Sequence, residues 1–470
     1  MKKRILIFST MISLIAFGAY AAVEKSVPVS AQRDLTMTIY NGGRALVNDV
    51  RFINLDEGRN LLLFVDISDA VIPSSVLFKS NGVQVLEQNF NFDLLTQENL
   101  LEKSVGQTVS VEYIDPATGV VSSDKAELLS ANEKYNPILK IGNKIETRYP
   151  GRIIFNKVPE NLSARPTLVF DVKASSAAEQ NAEVSYLTNG ISWKAAYVVE
   201  LDNDGKLDLN GLVTLTNNTK VSYKNTQLQL VAGEVNTVRE GYIQPAGNAY
   251  AGVRMAKAAY NDEAEVEPIS GYYLYKITRP TDILSNQTKQ VSLLSGSGIQ
   301  GKRTYQYESP LYYFSDTDFE KEKPNMYLSF ENTQSNGLGE ALPQGIMRVY
   351  QKDSKGSLIF VGEDLISHTA KGQDVRLRLG RDFDITAKGK RVSFKKIDAK
   401  TSQAEFEVKI SNAKTEPVVV RFNQSLPNGW KILSESLKSQ KESSNKIYWD
   451  ISVPAEKDVV LTYKLQVNER

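Results

Sequence analysis

The chain has no cysteine in 470 residues and a single histidine, His368. Without thiols there is no disulfide framework, no thiol nucleophile, no thiolate metal site and no lipid-anchored N-terminal Cys. One imidazole excludes zinc sites of the His-Glu-x-x-His kind and any cluster of three histidines. A Ser-His-Asp arrangement would have to run through His368, and no Gly-x-Ser-x-Gly elbow is present. Charge of one sign is also lacking: 56 Lys+Arg stand against 55 Asp+Glu. A near-neutral chain lacks the long-range positive field that nucleic-acid or anionic-membrane binding would need. Past residue 21 no apolar run approaches the ~20 residues of a transmembrane helix. Helical periodicity is scarce too, with Leu94–Ser104 the best short candidate.

The N-terminus departs from this pattern. Met1-Lys2-Lys3-Arg4 is basic, Ile5–Phe17 is apolar, and Ala19-Tyr20-Ala21 reads as an A-x-A cleavage site. The expectation is a signal peptide over residues 1–21 and an exported, periplasmic product. Removing the three basic residues of that leader leaves 53 Lys+Arg against 55 Asp+Glu.

What the remaining chain has in abundance is period-two alternation, the mark of half-buried strands. Leu35, Met37 and Ile39 alternate with polar neighbours, as do Val109 and Val111, Val375, Leu377 and Leu379, and Phe406, Val408 and Ile410. The last such row runs Val459, Leu461, Tyr463, Leu465, Val467. Asp115-Pro116-Ala117-Thr118-Gly119, Asp202-Asn203-Asp204-Gly205 and Pro427-Asn428-Gly429 supply tight-turn chemistry. The expected class is all-β, built of several antiparallel, Ig-like β-sandwiches with little helix. The expected divisions are an N-terminal β domain over 23–175, an Ig-like region over 176–345 with a flexible insertion at 236–270, and a C-terminal sandwich over 346–470. Asn217, Asn332 and Asn412 each sit where a strand runs into a turn; their unequal spacing fits similar hairpins as well as a repeat.

Tyr186-Leu187-Thr188-Asn189-Gly190-Ile191-Ser192-Trp193-Lys194-Ala195-Ala196-Tyr197, Gly337-Leu338-Gly339-Glu340-Ala341-Leu342-Pro343-Gln344-Gly345 and Gly362-Glu363-Asp364 together resemble the C-terminal domain of unknown function 4139 of the bacterial mucoidy-inhibitor A family. Ile39-Tyr40-Asn41-Gly42-Gly43-Arg44-Ala45-Leu46-Val47 resembles the opening of such exported proteins. The resemblance covers nearly the whole mature chain and implies an envelope location and polysaccharide biology, without catalytic residues. Members of that family commonly carry a coiled coil between two β regions, whereas Gln88–Ser175 has no heptads here.

The candidate sites are few. Glu363, Asp364 and His368 offer ligands for a mixed carboxylate-imidazole metal site, or occupy a turn and bond locally. Gly296-Ser297-Gly298-Ile299-Gln300-Gly301 matches G-x-G-x-x-G, but an alternating strand follows it where a dinucleotide fold needs a helix, so it reads as a hairpin loop. Asp202–Asp208 lacks the ligand and glycine positions of an EF-hand and reads as a hairpin turn. Trp193 is a sugar-stacking aromatic or a core anchor. Tyrosines cluster at Tyr272, Tyr273 and Tyr275, at Tyr305 and Tyr307, and at Tyr312 and Tyr313 beside Phe314. Tyr305 and Tyr307 share one strand face: either phenol rings line a binding surface, or aromatics are there because they favour strands. The expected function is a non-catalytic envelope protein that binds or scaffolds through β surfaces and loops. Its expected partner is envelope polysaccharide or another envelope protein, with no cofactor and no nucleic acid. The alternative is a periplasmic hydrolase acting on glycan or peptide through carboxylates.

Overall fold

The computed structural model describes residues 23–468 apart from 92–94, 132–136, 160–161, 163–164, 203, 234, 237–264, 270 and 317. The expected leader, 1–21, and most of the expected insertion lie outside the described residues. About 65% of the chain is strand and 4% helix, so the protein is all-β. The one α-helix among the described residues, Gln97–Lys103, falls inside the best helical candidate, where the Thr96 hydroxyl accepts the Asn99 N–H at 3.1 Å as an N-cap.

Alternating side chains build two large cores. In the first, a four-stranded sheet (Val23–Val27, Gly58–Val65, Thr167–Ala174, Val83–Asn91) contributes Leu62, Phe64, Phe170 and Val172. An eight-stranded sheet containing Gln32–Tyr40, Arg44–Leu55, Ala178–Asn189 and Tyr223–Ala232 adds Met37, Ile39, Val47, Tyr186 and Leu230. Strands Ile191–Leu201, Lys206–Asn217 and Gly345–Lys352 of a ten-stranded sheet continue the same core with Trp193, Tyr197, Val213 and Met347.

Strand pairing and packing run across the expected boundaries. Ala178–Asn189 pairs along its whole length with Arg44–Leu55, and one continuous core spans Val27 to Leu379. Neither 175/176 nor 345/346 separates two cores. Local composition marks loops, but the ladder partner of a strand is set by contacts far away in sequence. The expected insertion also ends earlier, because Glu265–Ile269 is a strand paired with Tyr272–Lys276.

A second core lies between the sheet Phe319–Glu322, Ile385–Lys396, Thr401–Asn412, Lys457–Asn468, Trp430–Glu435 and the far end of the ten-stranded sheet. The two ends share one strand. Gln287–Glu308 runs 22 residues, pairing first with Lys206–Asn217 and then with Asn325–Glu331 and Val418–Ser425. The glycine motif 296–301 lies within it, so it is a kinked strand interior and not a hairpin loop. Gly298 has φ +66 and donates its N–H to Asp208 Oδ1 at 3.0 Å, a left-handed conformation that favours glycine. Pairing is mostly antiparallel; four ladders, including Ile191–Leu201 with Gly345–Lys352 and Gln287–Glu308 with Val418–Ser425, are parallel.

Between Val83–Asn91 and Thr167–Ala174 the chain inserts a small five-stranded sheet around Val109, Val111, Leu128 and Leu139.

Two of the three asparagine turns are equivalent. Asn217 Nδ2 donates to the carbonyls of Val221, Ile283 and Leu284, and its Oδ1 accepts the Thr219 N–H. Asn412 Nδ2 donates to those of Glu416, Val453 and Pro454, and its Oδ1 accepts the Lys414 N–H. Each asparagine ties its own turn to the end of a strand across the core, so the two sandwiches repeat one corner. Asn332 bonds differently, to Glu340, Ala370 and Gly339. Because Asn412→Ala leaves buried carbonyls unpaired, it should lower the unfolding free energy by about 1–3 kcal/mol. Asn217→Ala should do the same by a similar amount, read by chemical denaturation.

Candidate functional site

The aromatic residues singled out from sequence are held mainly inside. Trp193 is buried, its indole N–H without a hydrogen-bond partner, so it anchors the core between sheets. Tyr275 is buried in the first core; Tyr305 and Tyr307 are buried in the second. The face that Tyr305 and Tyr307 share is therefore the inner face, and the phenol row lines a core, not a surface. Alternation identifies side chains that share a face without saying which way the face looks. Tyr272 and Tyr273 stay half-buried on the short strand Tyr272–Lys276. Tyr305, Tyr307 and Tyr313 share the second core, whereas Tyr275, with Tyr273 packed beside it, belongs to the first.

The buried hydroxyls have a structural task. Tyr197 donates to the Pro343 carbonyl at 2.7 Å and Tyr275 to the Ala341 carbonyl at 2.9 Å. Tyr307 donates to the Glu322 carbonyl at 2.8 Å. Burial pushes all three phenols well up from their ordinary values, keeping each a donor. The segment Gly337–Gly345 is thus clamped from below, and its last residue opens the strand Gly345–Lys352. Ala195 pairs with Gly345, and Arg348 with Glu363, so the three resembling stretches form one structural unit.

Glu363 and Asp364 lie in the strand Leu358–Ile366 rather than in a turn. Glu363 pairs with Arg348 at 2.9 Å, while Asp364 accepts the N–H groups of Leu365 (2.9 Å) and Arg378 (2.7 Å). His368 is exposed, and its Nδ1 accepts the Gln344 N–H at 3.1 Å. Among the described residues no three His, Asp or Glu side chains gather as metal ligands. His368→Ala should cost no more than ~1–2 kcal/mol, as the loss of exposed hydrogen bonding does; a thermal melt checks this. Asp202 likewise turns inward on its own hairpin, its Oδ1 accepting the N–H groups of Asp204 and Lys206.

A cavity of about 360 Å³ in the small inserted unit is lined by Gln107, Thr108, Val109, Phe155, Asn156 and Lys157, with no carboxylate. Of the exposed aromatics, Phe360 and Phe383 lie on other stretches of the chain, while Tyr312, Phe314 and Phe394 belong to the C-terminal sandwich. The loop after Gln287–Glu308 alternates Leu311 and Tyr313, both buried, with Tyr312 and Phe314, 71% and 53% exposed. The inward pair pins the loop. The Leu311 carbonyl accepts Gln424 Nε2 at 2.9 Å and the Tyr313 hydroxyl donates to the Ser402 carbonyl at 2.7 Å. Arg391 adds a third fixture: Nη1 donates to the Tyr313 carbonyl at 3.0 Å and Nη2 pairs with Asp316.

Phe394, 43% exposed, completes the patch. Its ring centroid is 6.0 Å from that of Tyr313, the Phe314 ring lies 4.8 Å from the same Tyr313 ring, and the Arg391 guanidinium sits 4.8 Å from the Phe394 ring. Tyr312 and Phe314 were visible as part of an aromatic run. Phe394 gave no signal, because an aromatic on an alternating strand looks like core until the sheet's extent is known.

No helix among the described residues is long and apolar enough to cross a membrane. No curated protein matches the chain. A family described as "Domain of unknown function (DUF4139)" matches residues 182–469, which takes in the clamped Gly337–Gly345 segment, the shared strand and the whole aromatic patch. With more than half of its length in that match, the chain belongs to the DUF4139 family.

Proposed function

We propose that the protein is a non-catalytic component of the bacterial cell envelope, of the mucoidy-inhibitor A type. In this reading it is exported by the leader at 1–21 and binds an envelope partner through the end of its C-terminal, Ig-like sandwich. The observation that carries the reading is the rigid outward presentation of Tyr312 and Phe314 beside Phe394. Exposed aromatics cost water little order only when scattered; gathered on a pinned loop they form a contact surface. Because Leu311, Tyr313 and Arg391 fix the backbone beforehand, little conformational entropy is lost on binding. The resemblance to an envelope-polysaccharide family and the basic-apolar leader agree with the location.

The test is sedimentation of the full chain with protein-stripped cell envelopes. The wild type should co-sediment and release no soluble sugar or peptide. The variant Tyr312→Ser, Phe314→Ser, Phe394→Ser should keep its melting temperature and stay about tenfold more in the supernatant. Release of soluble fragments by the wild type would replace this reading with a carboxylate hydrolase.

A further inference from the structure

The hairpin that carries Phe394 has a composition unlike the rest of the chain. From Ile385 to Ser402 there are six basic residues (Lys388, Lys390, Arg391, Lys395, Lys396 and Lys400) and one acid, Asp398. Asp398 is used by its own turn, accepting the N–H groups of Lys400 and Thr401 at 2.8 Å each. Lys395, Lys396 and Lys400 are exposed and make no ion pair among the described residues.

Apolar side chains are mixed with these cations. Val392 is 51% and Ile397 47% exposed. Val392 falls at a register shift between Arg391 and Ser393, so it has no cross-strand partner on Thr401–Asn412. On the other edge, the neighbouring strand among the described residues, Phe319–Glu322, reaches no further than Gly389. From Val392 to Lys400 every residue is exposed, so this part of the hairpin projects from the sandwich.

We propose that this hairpin, together with Tyr312 and Phe314, docks on the surface of a bilayer rich in anionic phospholipid. The proposal rests on the envelope-binding reading above and names its partner. Although the chain as a whole is near-neutral, with 56 Lys+Arg against 55 Asp+Glu, the local excess of cations on this hairpin selects an anionic surface at contact range. Aliphatic Val392 and Ile397 select lipid over a glycan, because a hydroxylated chain stacks on aromatic rings but gains nothing from burying branched aliphatics. Phe and Tyr settle at the level between headgroups and acyl chains, and lysines reach back to the phosphates with their methylene stems buried.

The experiment is sedimentation of the full chain with vesicles of phosphatidylcholine alone and with about a third phosphatidylglycerol. The expected result is at least tenfold stronger binding to the anionic vesicles, weakening as salt is raised. Lys395→Ser with Lys396→Ser should lose about fivefold per lysine, the factor that ~1 kcal/mol per lysine near an anionic surface corresponds to. Phe314→Ser with Phe394→Ser should lose about tenfold, while Leu358→Ser, an exposed apolar residue on a different edge, should bind as the wild type does. No binding to either vesicle, equal binding to both, or unchanged binding by the Phe variant overturns the proposal. If vesicles fail but the patch variants still lose binding to stripped envelopes, the lipid assignment falls and a glycan partner takes its place. If the patch variants bind stripped envelopes as the wild type does, the envelope-binding reading falls with it.

Discussion

Trp449→Ala should destabilise the C-terminal sandwich by about 3–5 kcal/mol, the cost of emptying a large buried site that cannot collapse. Trp449 is fully buried between the two sheets of that core. Its ring lies 4.6 Å from Tyr463 on one sheet and 6.2 Å from Phe422 on its own, and Tyr463 in turn stacks on Phe406 at 5.0 Å. The indole N–H also donates to Glu435 Oε2 at 3.1 Å and to the Leu437 carbonyl at 3.2 Å. Truncation therefore removes the contact that joins the sheets and strands two acceptors. Because the chain has separate cores, denaturation followed by far-UV circular dichroism should show a new early transition for this half alone. A single unshifted transition would show that the sandwich does not depend on this residue. Trp449→Phe should recover most of the loss.

Arg51→Ala should cost about 3–5 kcal/mol in the other half, for an electrostatic reason. Arg51 is almost wholly buried and bonds Asp49 Oδ2 through Nε at 2.9 Å and Nη2 at 2.7 Å. Its Nη1 donates to the Val27 carbonyl at 2.7 Å and the Val65 carbonyl at 2.8 Å, holding the parallel strand Val23–Val27 against its neighbour. Removing the guanidinium leaves the Asp49 carboxylate buried with Gln32 Nε2 as its remaining side-chain donor, at 2.8 Å. An uncompensated buried charge carries a penalty of that size, whereas replacing both partners by apolar residues is often neutral. Arg51→Met combined with Asp49→Leu should thus be more stable than Arg51→Ala alone, measured by urea unfolding. Equal loss in both variants would show that packing, not charge, is what Arg51 supplies.

Much of the fold was legible because period-two alternation is a local property. The rows Leu35–Met37–Ile39, Leu377–Leu379, Phe406–Val408–Ile410 and Leu461–Tyr463–Leu465 are inner rows. What alternation cannot carry is the identity of the partner strand. The 22-residue strand Gln287–Glu308 serves two sandwiches, and its glycines mark the crossing, yet glycine also marks loops. The buried Tyr305 and Tyr307 and the exposed Tyr312 and Phe314 belong to one aromatic-rich run; only the packing of Leu311 and Tyr313 tells the two kinds apart. The repeated asparagine corner was hidden because Asn332, between its two members, has a different bonding pattern. Thus the class and the strand faces follow from sequence, while the site needed the third dimension.

The most direct test of surface binding is amide hydrogen exchange of the full chain with and without protein-stripped envelopes. Protection confined to Leu311–Asp316 and Arg391–Lys400 is the predicted result, with the buried strands Thr401–Asn412 and Lys457–Asn468 unchanged. Protection centred on the cavity at Gln107–Val109 and Phe155–Lys157, or none on the C-terminal sandwich, would contradict it.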